Sequence, residues 1–393
     1  MFELSRQDFQ AMTAFLQNLV RTPSLSTQEG QVAAQLAEEM RGVGIPDVRV
    51  DRIGNVIGRI GSGVGRKLAL NGHMDTVGVG DPTAWKRDPF GAEIENGVLY
   101  GRGAADMKGA LAAMVYAAKM LLDAGASLPG DLYLVGVVQE EPCEGLAMRI
   151  LVENEGLRPD CVVLGEPTNM QVCRGQRGRM EMQVTVQGKA CHSSAPHLGE
   201  NAIYGAARII FGLELLANQL ADDRLLGRGS LAITHIESTA GSRNAVPDRC
   251  TFCIDRRLTL GETEAKALAE VQGVILREGL RADVKVTEYR ATSYTGYKAC
   301  QREYYPAWAM EEDHPLVQAT VRAVRKTLGF PPRVQKWAFS TDGAYTMGVA
   351  GIPTVGFGPG DERYAHTAEE QIRLDDVAAA ARVYAQLAVD LLA

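Results

Sequence analysis

The sequence lacks long apolar runs and any leader-like N-terminus. No window approaches ~18 consecutive uncharged apolar residues, so a transmembrane helix is not expected. The opening residues, MFELSRQDFQ, contain no basic cluster followed by an uninterrupted apolar stretch, so no signal peptide is predicted. These absences predict a cytoplasmic protein without a membrane partner.

Cysteine is sparse, and clusters of basic charge are missing. Of the seven cysteines, Cys250 and Cys253 are three residues apart in a predicted strand, where their side chains point to opposite faces and disfavour a mutual disulfide. The cysteines therefore indicate reduced thiols rather than a disulfide framework or a thiolate metal site. The 41 basic and 48 acidic residues give a net charge of -7, and no basic run stands out. Nucleic acid is therefore not an expected partner. No glycine-rich phosphate cradle is present either, which argues against phosphate-ester chemistry.

The 393 residues are enough for two domains. Buried strand patterns alternate with helical patterns before residue 178 and again after residue 292, which predicts an α/β domain with a mainly parallel sheet flanked by helices. Residues 179–292 follow the order βαββαβ, which predicts an inserted ferredoxin-like α+β domain. We therefore divide the chain into 1–178, the insertion 179–292, and 293–393.

Local patterns also predict where helices begin. Ser26 and Glu29 have the capping-box spacing ahead of the apolar positions Val32, Leu36 and Met40, which predicts a helix capped by this pair. Further helices are predicted over 109–122, 145–152, 202–220, 262–277, 315–328 and 374–392.

Histidines and carboxylates stand at the ends of several predicted strands. In an open α/β sheet the carboxyl ends of the strands form the edge where ligands bind, so distant residues can meet there. One further aspartate precedes a predicted helix. The segments that carry these residues are LALNGHMD (His73, Asp75), GRGAADMKG (Asp106), VGVVQEE (Glu140, Glu141), VVLGEPT (Glu166) and GFGPGDERYAHT (His366).

These residue types suit divalent metal ions. Imidazole and carboxylate ligands favour zinc, with cobalt as the alternative. The set is too large for a single catalytic zinc but suits two ions bridged by a carboxylate, which lower the pKa of bound water to about 7 and make hydroxide available for attack. Either Glu140 or Glu141 is a candidate to carry the proton to the leaving group, and Asp75 is placed to orient the His73 imidazole.

Each of these residues has an ordinary explanation when it is taken alone. A lone His-x-Asp is usually a surface accident, a Glu-Glu pair is usually solvated, and Asp106 before a helix would normally be a cap. The whole set after strand ends, in this order, is hard to explain without a metal site.

At this point the sequence resembles a known family over essentially its whole length. The segments GHMDTV, GRGAADMKG, EEPCEG, GEPT, HSSAPHLGENA, DRR and AHT match the dinuclear zinc hydrolases that include acetylornithine deacetylase, succinyl-diaminopimelate desuccinylase, aminoacylase and glutamate carboxypeptidases. GQRGR, DRRLTLGET and GFGPGDERYAHT resemble most closely a subgroup assigned to selenium metabolism. The chain departs from many members at Gln139, where an aspartate commonly precedes the two glutamates.

The resemblance implies a role for each ligand and for the proton carrier. His73 and His366 would each bind one metal, Asp106 would bridge both, and Glu141 and Glu166 would complete the two sites. It makes Glu140 the general base and Asp75 the supporting carboxylate. The insertion would serve as a lid and dimerisation domain of a homodimer.

The resemblance also implies residues that contact the substrate. His192 would stabilise the oxyanion in its own or the partner's active site, and Asn244 and Arg257 would contact a substrate carboxylate. The FSTDGA segment, with Ser340, Thr341 and Gly343, resembles the family loop that lines the pocket.

We therefore expect a hydrolase that cleaves the amide bond of a small N-acyl amino acid or a dipeptide-like substrate. The alternatives are a dipeptidase or carboxypeptidase and, with less support, acetylornithine deacetylase or succinyl-diaminopimelate desuccinylase. A non-catalytic homologue and a phosphoesterase are the competing classes. Complete retention of the ligand set argues against the first, and the missing phosphate cradle argues against the second.

Overall fold

The computed structural model describes residues 2–392. Helices form where apolar residues recur at helical spacing, and the longest is the last, Leu374–Leu392, with 19 residues. Helix Gly109–Asp123 packs against Leu374–Leu392, which also packs against Pro315–Leu328. The helices are Arg6–Arg21, Gly30–Gly42, Gly109–Asp123, Leu146–Glu153, Ala202–Ala217, Glu264–Glu278, Pro315–Leu328, Gly343–Thr346 and Leu374–Leu392, with short turns at Pro82–Ala84, Ala104–Lys108 and Pro196–Leu198.

A nine-stranded mixed sheet forms the centre of the larger domain. Its four middle strands run parallel and are almost wholly buried, as expected for strands covered on both faces. The outer strands are mostly antiparallel. In sheet order the strands are Asp47–Val50, Val56–Ile60, Asp131–Val137, Lys67–His73, Cys161–Leu164, Thr354–Gly356, Val172–Gln176 and Trp308–Ala309, with Val334–Trp337 paired parallel to Val172–Gln176.

A separate antiparallel sheet forms the second domain. Helices Ala202–Ala217 and Glu264–Glu278 pack together, and strand Gly178–Gln187 alternates buried and half-buried residues as a sheet covered on one face does. Its apolar core is separate from that of the larger domain. In sheet order the strands are Ser230–Thr239, Arg249–Leu258, Gly178–Gln187 and Ala282–Val286, with Tyr304–Tyr305 also paired to Gly178–Gln187.

Short ribbons complete the fold. Strands Glu288–Thr292 and Lys298–Arg302 form a hairpin between the two domains in sequence. The other ribbons pair Cys191–His192 with Ala245–Val246, Asp222–Asp223 with Gly227–Arg228, and Val98–Tyr100 with both Glu93–Glu95 and Gln371–Arg373.

The α/β class and the inserted α+β domain are confirmed, with the sheet more mixed at its edges than the sequence predicted. The domain limits at residues 178 and 292 stay predictions. Across residues 2–392, no helix combines the length and apolarity needed to cross a bilayer. The cysteines are free thiols.

The predicted capping box is wrong. The second helix begins at Gly30, and no side chain caps its N-terminus. The Ser26 hydroxyl instead donates to Asp75 Oδ2 at 2.6 Å, and Glu29 Oε1 accepts the N–H groups of Thr27 and Gln139. Both side chains that fit the capping pattern therefore serve contacts with the strand-end loops.

Two glycine-to-alanine substitutions should shift stability in opposite directions. A Cβ on Gly356, in a middle strand, would overlap the ring of Trp337, whereas a Cβ on Gly273, inside a helix, meets nothing within 4 Å. We expect Gly356→Ala to destabilise by about 1–3 kcal/mol through overpacking, and Gly273→Ala to stabilise by roughly 0.4–1 kcal/mol. Melting temperatures of the two variants check this, and a stabilised Gly356→Ala protein would contradict the packing described.

Candidate metal centre

The candidate metal ligands converge at one edge of the central sheet. His73 ends strand Lys67–His73, and its neighbours Asp131–Val137 and Cys161–Leu164 run parallel to it on either side. Glu140 and Glu141 follow the first neighbour, and Glu166 follows the second. Because parallel strands bring their carboxyl ends to the same edge, residues far apart in sequence meet there.

Asp106 lies between the two histidines. Its Oδ1 is 2.9 Å from His73 Nε2, and its Oδ2 is 3.3 Å from His366 Nε2. Glu166 Oε1 is 3.8 Å from His73 Nε2, and Glu141 Oε2 is 3.0 Å from His366 Nε2. The five residues thus form two groups of three that share Asp106, with the ligand atoms of each group within 4.8 Å of one another.

The electrostatics of this cluster fit divalent cations. Burial raises the pKa of Glu140 and Glu166 well above the usual range. The charge of Glu166 raises the pKa of Glu140 further, and the charges of Asp106 and Glu141 raise that of Glu166. Hydrogen bonds to Asp106 and Glu141 raise the pKa of His366 to about 10. Carboxylates so close together need positive charge beside them, and divalent ions supply more of it than protons on two imidazoles.

The tautomer of His73 also fits a metal ligand. Its Nδ1 lies 2.8 Å from the carbonyl oxygen of Asp75 and donates to it, which leaves Nε2 facing Asp106 and Glu166. The sequence assigned this orienting role to the Asp75 side chain, but Asp75 Oδ1 lies 3.8 Å from Nδ1.

The Asp75 carboxylate instead holds the loop that carries the two glutamates. Its Oδ1 accepts the N–H of Glu140 at 3.1 Å, and its Oδ2 accepts the N–H of Glu141 at 3.2 Å. Ser26 donates to Oδ2 from the other side. Asp75 therefore fixes the backbone from which both side chains project.

The same loop is held one residue earlier by Glu29. This glutamate is fully buried and accepts the N–H of Gln139 at 3.1 Å. Gln139 has a positive φ of 56°, and its side-chain oxygen accepts a hydrogen bond from Tyr289 in the hairpin. Three consecutive backbone N–H groups thus point at buried carboxylates.

One carboxylate oxygen of the buried Glu140 has no hydrogen-bond partner in the described structure. Its side chain is buried, and its Oε1 has no hydrogen-bond partner within residues 2–392. The side chain lines the cavity beside the metal cluster. A buried carboxylate kept without a partner is available to exchange a proton with a bound molecule.

The cavity has a volume of about 400 Å³ and extends from the metal cluster to the inserted domain. Arg257 and Ser340 line it, as the sequence predicted for substrate contacts. Asp255 holds the Arg257 guanidinium through Nε at 2.8 Å and through one terminal nitrogen at 3.1 Å. The whole lining consists of Asp106, Glu140, Glu141, Glu144, Glu166, Arg179, Arg257, Phe339, Ser340, Glu362, Ala365 and His366.

Thr341 and Gly343 shape the loop beneath this cavity rather than its surface. The Thr341 hydroxyl donates to Gln176 Oε1 at 2.5 Å and accepts the N–H of Gly343 at 3.0 Å. A Cβ on Gly343 would lie 2.6 Å from the Trp308 ring, so the glycine permits close packing. In the part of the chain that the structure describes, neither residue belongs to the cavity lining.

His192 and Asn244 lie together on the inserted domain, outside the described lining of this cavity. Both are exposed, and the strand that contains His192 pairs with Ala245, the residue after Asn244. The His192 ring contacts the hydroxyl of Ser194 at 2.7 Å.

Sequence reasoning missed Arg179 and Glu144, which form an ion pair in the cavity wall. Arg179 donates to both oxygens of Glu144 at 3.1 Å and stands opposite Arg257 in the antiparallel register. A sequence signal for Arg179 was available. It ends the GQRGR segment, and its strand pairs with the strand on which Arg257 ends the DRR segment.

Comparison with known proteins identifies the family of this chain. The sequence profile of peptidase family M20/M25/M40 matches residues 69–390. The chain is 42% identical to the uncharacterised protein YgeY of Escherichia coli K12 over 98% of this chain and 96% of that protein.

Solved structures share the fold at low sequence identity. An M20 family metallo-carboxypeptidase, Sso-CP2 from Sulfolobus solfataricus, aligns with a TM-score of 0.76 at 20% identity, covering 98% of this chain and 99% of its own. The dinuclear metal-binding peptidase YXEP of Bacillus subtilis aligns with a TM-score of 0.71 at 17% identity, covering 99% of both chains. The chain therefore belongs to peptidase family M20/M25/M40 and is a metal-dependent hydrolase of amide or peptide bonds.

Proposed function

We propose that this hydrolase cleaves the amide bond of a small N-acyl amino acid or dipeptide-like substrate. The observation that carries the proposal is the Asp106 carboxylate, which lies between two imidazoles that each have a further carboxylate beside them. A cavity of about 400 Å³ at this cluster is of the size that holds small molecules.

The metal ligands in this proposal are His73 and Glu166 for one ion, His366 and Glu141 for the other, and Asp106 for both. Nitrogen and oxygen ligands without thiolate favour zinc, with cobalt as the alternative. When bound, two such ions lower the pKa of a water molecule and polarise the substrate carbonyl.

Glu140 is the proposed general base. It takes a proton from the attacking water and delivers the proton to the nitrogen of the leaving amine. Burial, together with the charge of Glu166, raises the pKa of Glu140, which suits a group that must both accept and release a proton. Asp75 and Glu29 keep this side chain in place by holding its backbone.

Arg257 is the proposed partner of a substrate carboxylate. Asp255 engages two nitrogens of its guanidinium, which fixes the plane of the group at the cavity wall. Ser340 provides a hydroxyl at the same cavity, and Thr341 and Gly343 support its loop. A carboxylate contact favours the dipeptidase or carboxypeptidase alternative as well as deacylation of an N-acyl amino acid. Acetylornithine deacetylase and succinyl-diaminopimelate desuccinylase remain the less supported alternatives.

His192 and Asn244 are proposed to act in the partner's active site of a homodimer. Arg257 stands near one end of strand Arg249–Leu258, and Asn244 precedes the other end. Arg257 lies eight positions after Arg249 along the strand, a distance of about 26 Å at ~3.3 Å per residue. A rigid sheet therefore keeps His192 and Asn244 away from the cavity of their own subunit, which Arg257 lines.

An apolar face on the insertion supports the homodimer. Tyr204 is 72% exposed and Phe211 is 62% exposed, at positions i and i+7 of helix Ala202–Ala217, and Leu215 continues the same face. Strand Ser230–Thr239 is an edge strand whose Ile236 is also exposed. Exposed aromatic residues beside an unpaired strand edge are typical of surfaces that pair with another protein.

Replacing the base should separate catalysis from metal binding. Glu140→Gln keeps the shape of the side chain but cannot accept the proton, so kcat should fall roughly 10²- to 10⁴-fold. Its metal content should match that of the unmodified protein. Glu141→Gln is the matched comparison and should lose metal. An unchanged kcat in Glu140→Gln would refute the assigned role.

Metal removal and a substrate panel test the reaction itself. Chelation should abolish release of free amine from N-acetyl amino acids, N-succinyl amino acids or dipeptides, and Zn²⁺ or Co²⁺ should restore it. Phosphate esters serve as the comparison class and should not be hydrolysed. Amine release that is insensitive to the chelator, or hydrolysis of phosphate esters alone, argues against the proposal.

Mixed dimers test the site in which His192 acts. His192→Gln and Glu140→Gln should each be inactive alone, whereas a coexpressed mixture should regain activity because one site combines an intact Glu140 with the partner's intact imidazole. A mixture of Glu140→Gln and Glu141→Gln is the control, and it should stay inactive because both lesions affect the site of their own subunit. No recovery in the first mixture would place His192 in its own subunit's site.

A further inference from the structure

Glu370 is a buried carboxylate that faces the backbone of the segment carrying Asp106. It is 1% exposed and lies four residues after His366. Its Oε1 accepts the N–H of Ala105 at 3.1 Å and the N–H of Asp106 at 3.0 Å. Its other oxygen is 2.5 Å from a terminal nitrogen of the buried Arg102. Donors therefore face both oxygens, two backbone N–H groups at one and the Arg102 guanidinium at the other.

These contacts join two segments that lie more than 260 residues apart. The segment with His366 and Glu370 comes from the last part of the chain, and the segment with Arg102 and Asp106 comes from the first. The Glu370 carbonyl also accepts the N–H of Gly101 at 3.0 Å. A Cβ at Gly360 would overlap the carbonyl of Ala105, so the two backbones touch on the other side as well.

We propose that Glu370 is a positioning residue that sets the placement of the Asp106 carboxylate relative to His366. This inference rests on the proposed metal centre. Asp106 is the residue shared by both groups of ligands, so a small shift of its backbone alters both sites. Arg102 holds the Glu370 carboxylate from behind and keeps its Oε1 directed at the two N–H groups.

Isosteric replacement isolates this role from simple packing. Glutamine has one acceptor oxygen and one NH₂ donor, whereas Glu370 accepts on both oxygens. In Glu370→Gln the NH₂ group must therefore face either the Arg102 guanidinium or the two backbone N–H groups. The side-chain volume is nearly unchanged, so the first effect is on the local backbone that carries Asp106.

The test measures affinity of the metal-free protein for Zn²⁺ by competition with a chelator. Glu370→Gln should bind Zn²⁺ about ten-fold or more weakly, as loss of a group that orients a metal ligand commonly does. The visible absorption spectrum of the Co²⁺-loaded variant should also change. With a substrate, kcat should fall more than KM rises, because Glu370 does not line the cavity described above.

Glu369→Gln is the matched control. Its neighbour Glu369 has the same side chain but is 64% exposed and pairs with Lys86 on the surface. This variant should keep the Zn²⁺ affinity, the Co²⁺ spectrum and the activity. If Glu370→Gln does not fold, Glu370→Asp retains the charge but withdraws it from Ala105 and Asp106, and the same loss of affinity is expected.

Unchanged Zn²⁺ affinity and Co²⁺ spectrum in the folded Glu370 variant, with only a lower melting temperature, would overturn the positioning role. That result would leave Glu370 and Arg102 as a stabilising pair. Failure of the unmodified protein to bind Zn²⁺ or Co²⁺ would instead overturn the metal centre itself, so the two failures are distinguishable.

Discussion

The negative charge buried at the carboxyl edge of the central sheet is the constraint on which the rest of the structure depends. Asp106, Glu140, Glu141 and Glu166 meet there with two imidazoles, and burial raises the pKa of the three glutamates. Removing carboxylates from water without compensating charge is costly, so such a cluster is a poor way to stabilise a fold. Its arrangement makes physical sense as a site for cations.

The chain adds still more carboxylate around this site, and it uses that charge to hold backbone. Asp75 accepts the N–H groups of Glu140 and Glu141, Glu29 accepts that of Gln139, and Glu370 accepts that of Asp106. These carboxylates supply acceptors for backbone N–H groups in loops that have no sheet partners. The loops stay rigid while their own side chains remain available for ligands.

The sequence predicted the candidate ligands because their chemistry and their position after apolar strands are both local features. It could not predict Glu29 or Glu370, whose function lies in contacts with backbone far away in the chain. Ser26 and Glu29 even matched a capping box. In the folded chain they instead contact the strand-end loops, where Ser26 bonds Asp75 and Glu29 accepts the N–H of Gln139. A Cβ at Gly358 would overlap the carbonyls of Gly165 and Glu166, so close approach to a ligand segment requires it.

The two ends of the inserted sheet carry different groups of polar residues. Arg179 and Arg257 stand side by side at one end, where Arg179 pairs with Glu144 in the loop that begins at Glu140. The position of the insertion is thereby coupled to the loop that carries the proposed base. The opposite end of the same strands leads to His192 and Asn244.

Under the proposed dimer, these two ends would serve two different cavities. A symmetric dimer uses the same surface on both subunits, so each sheet would line its own cavity with arginines and offer an imidazole to the partner's. The length of strand Arg249–Leu258 then becomes a functional constraint, because it sets how far the imidazole lies from the arginines. A change in that length would disturb the partner's site while leaving the metal ligands of its own subunit in place.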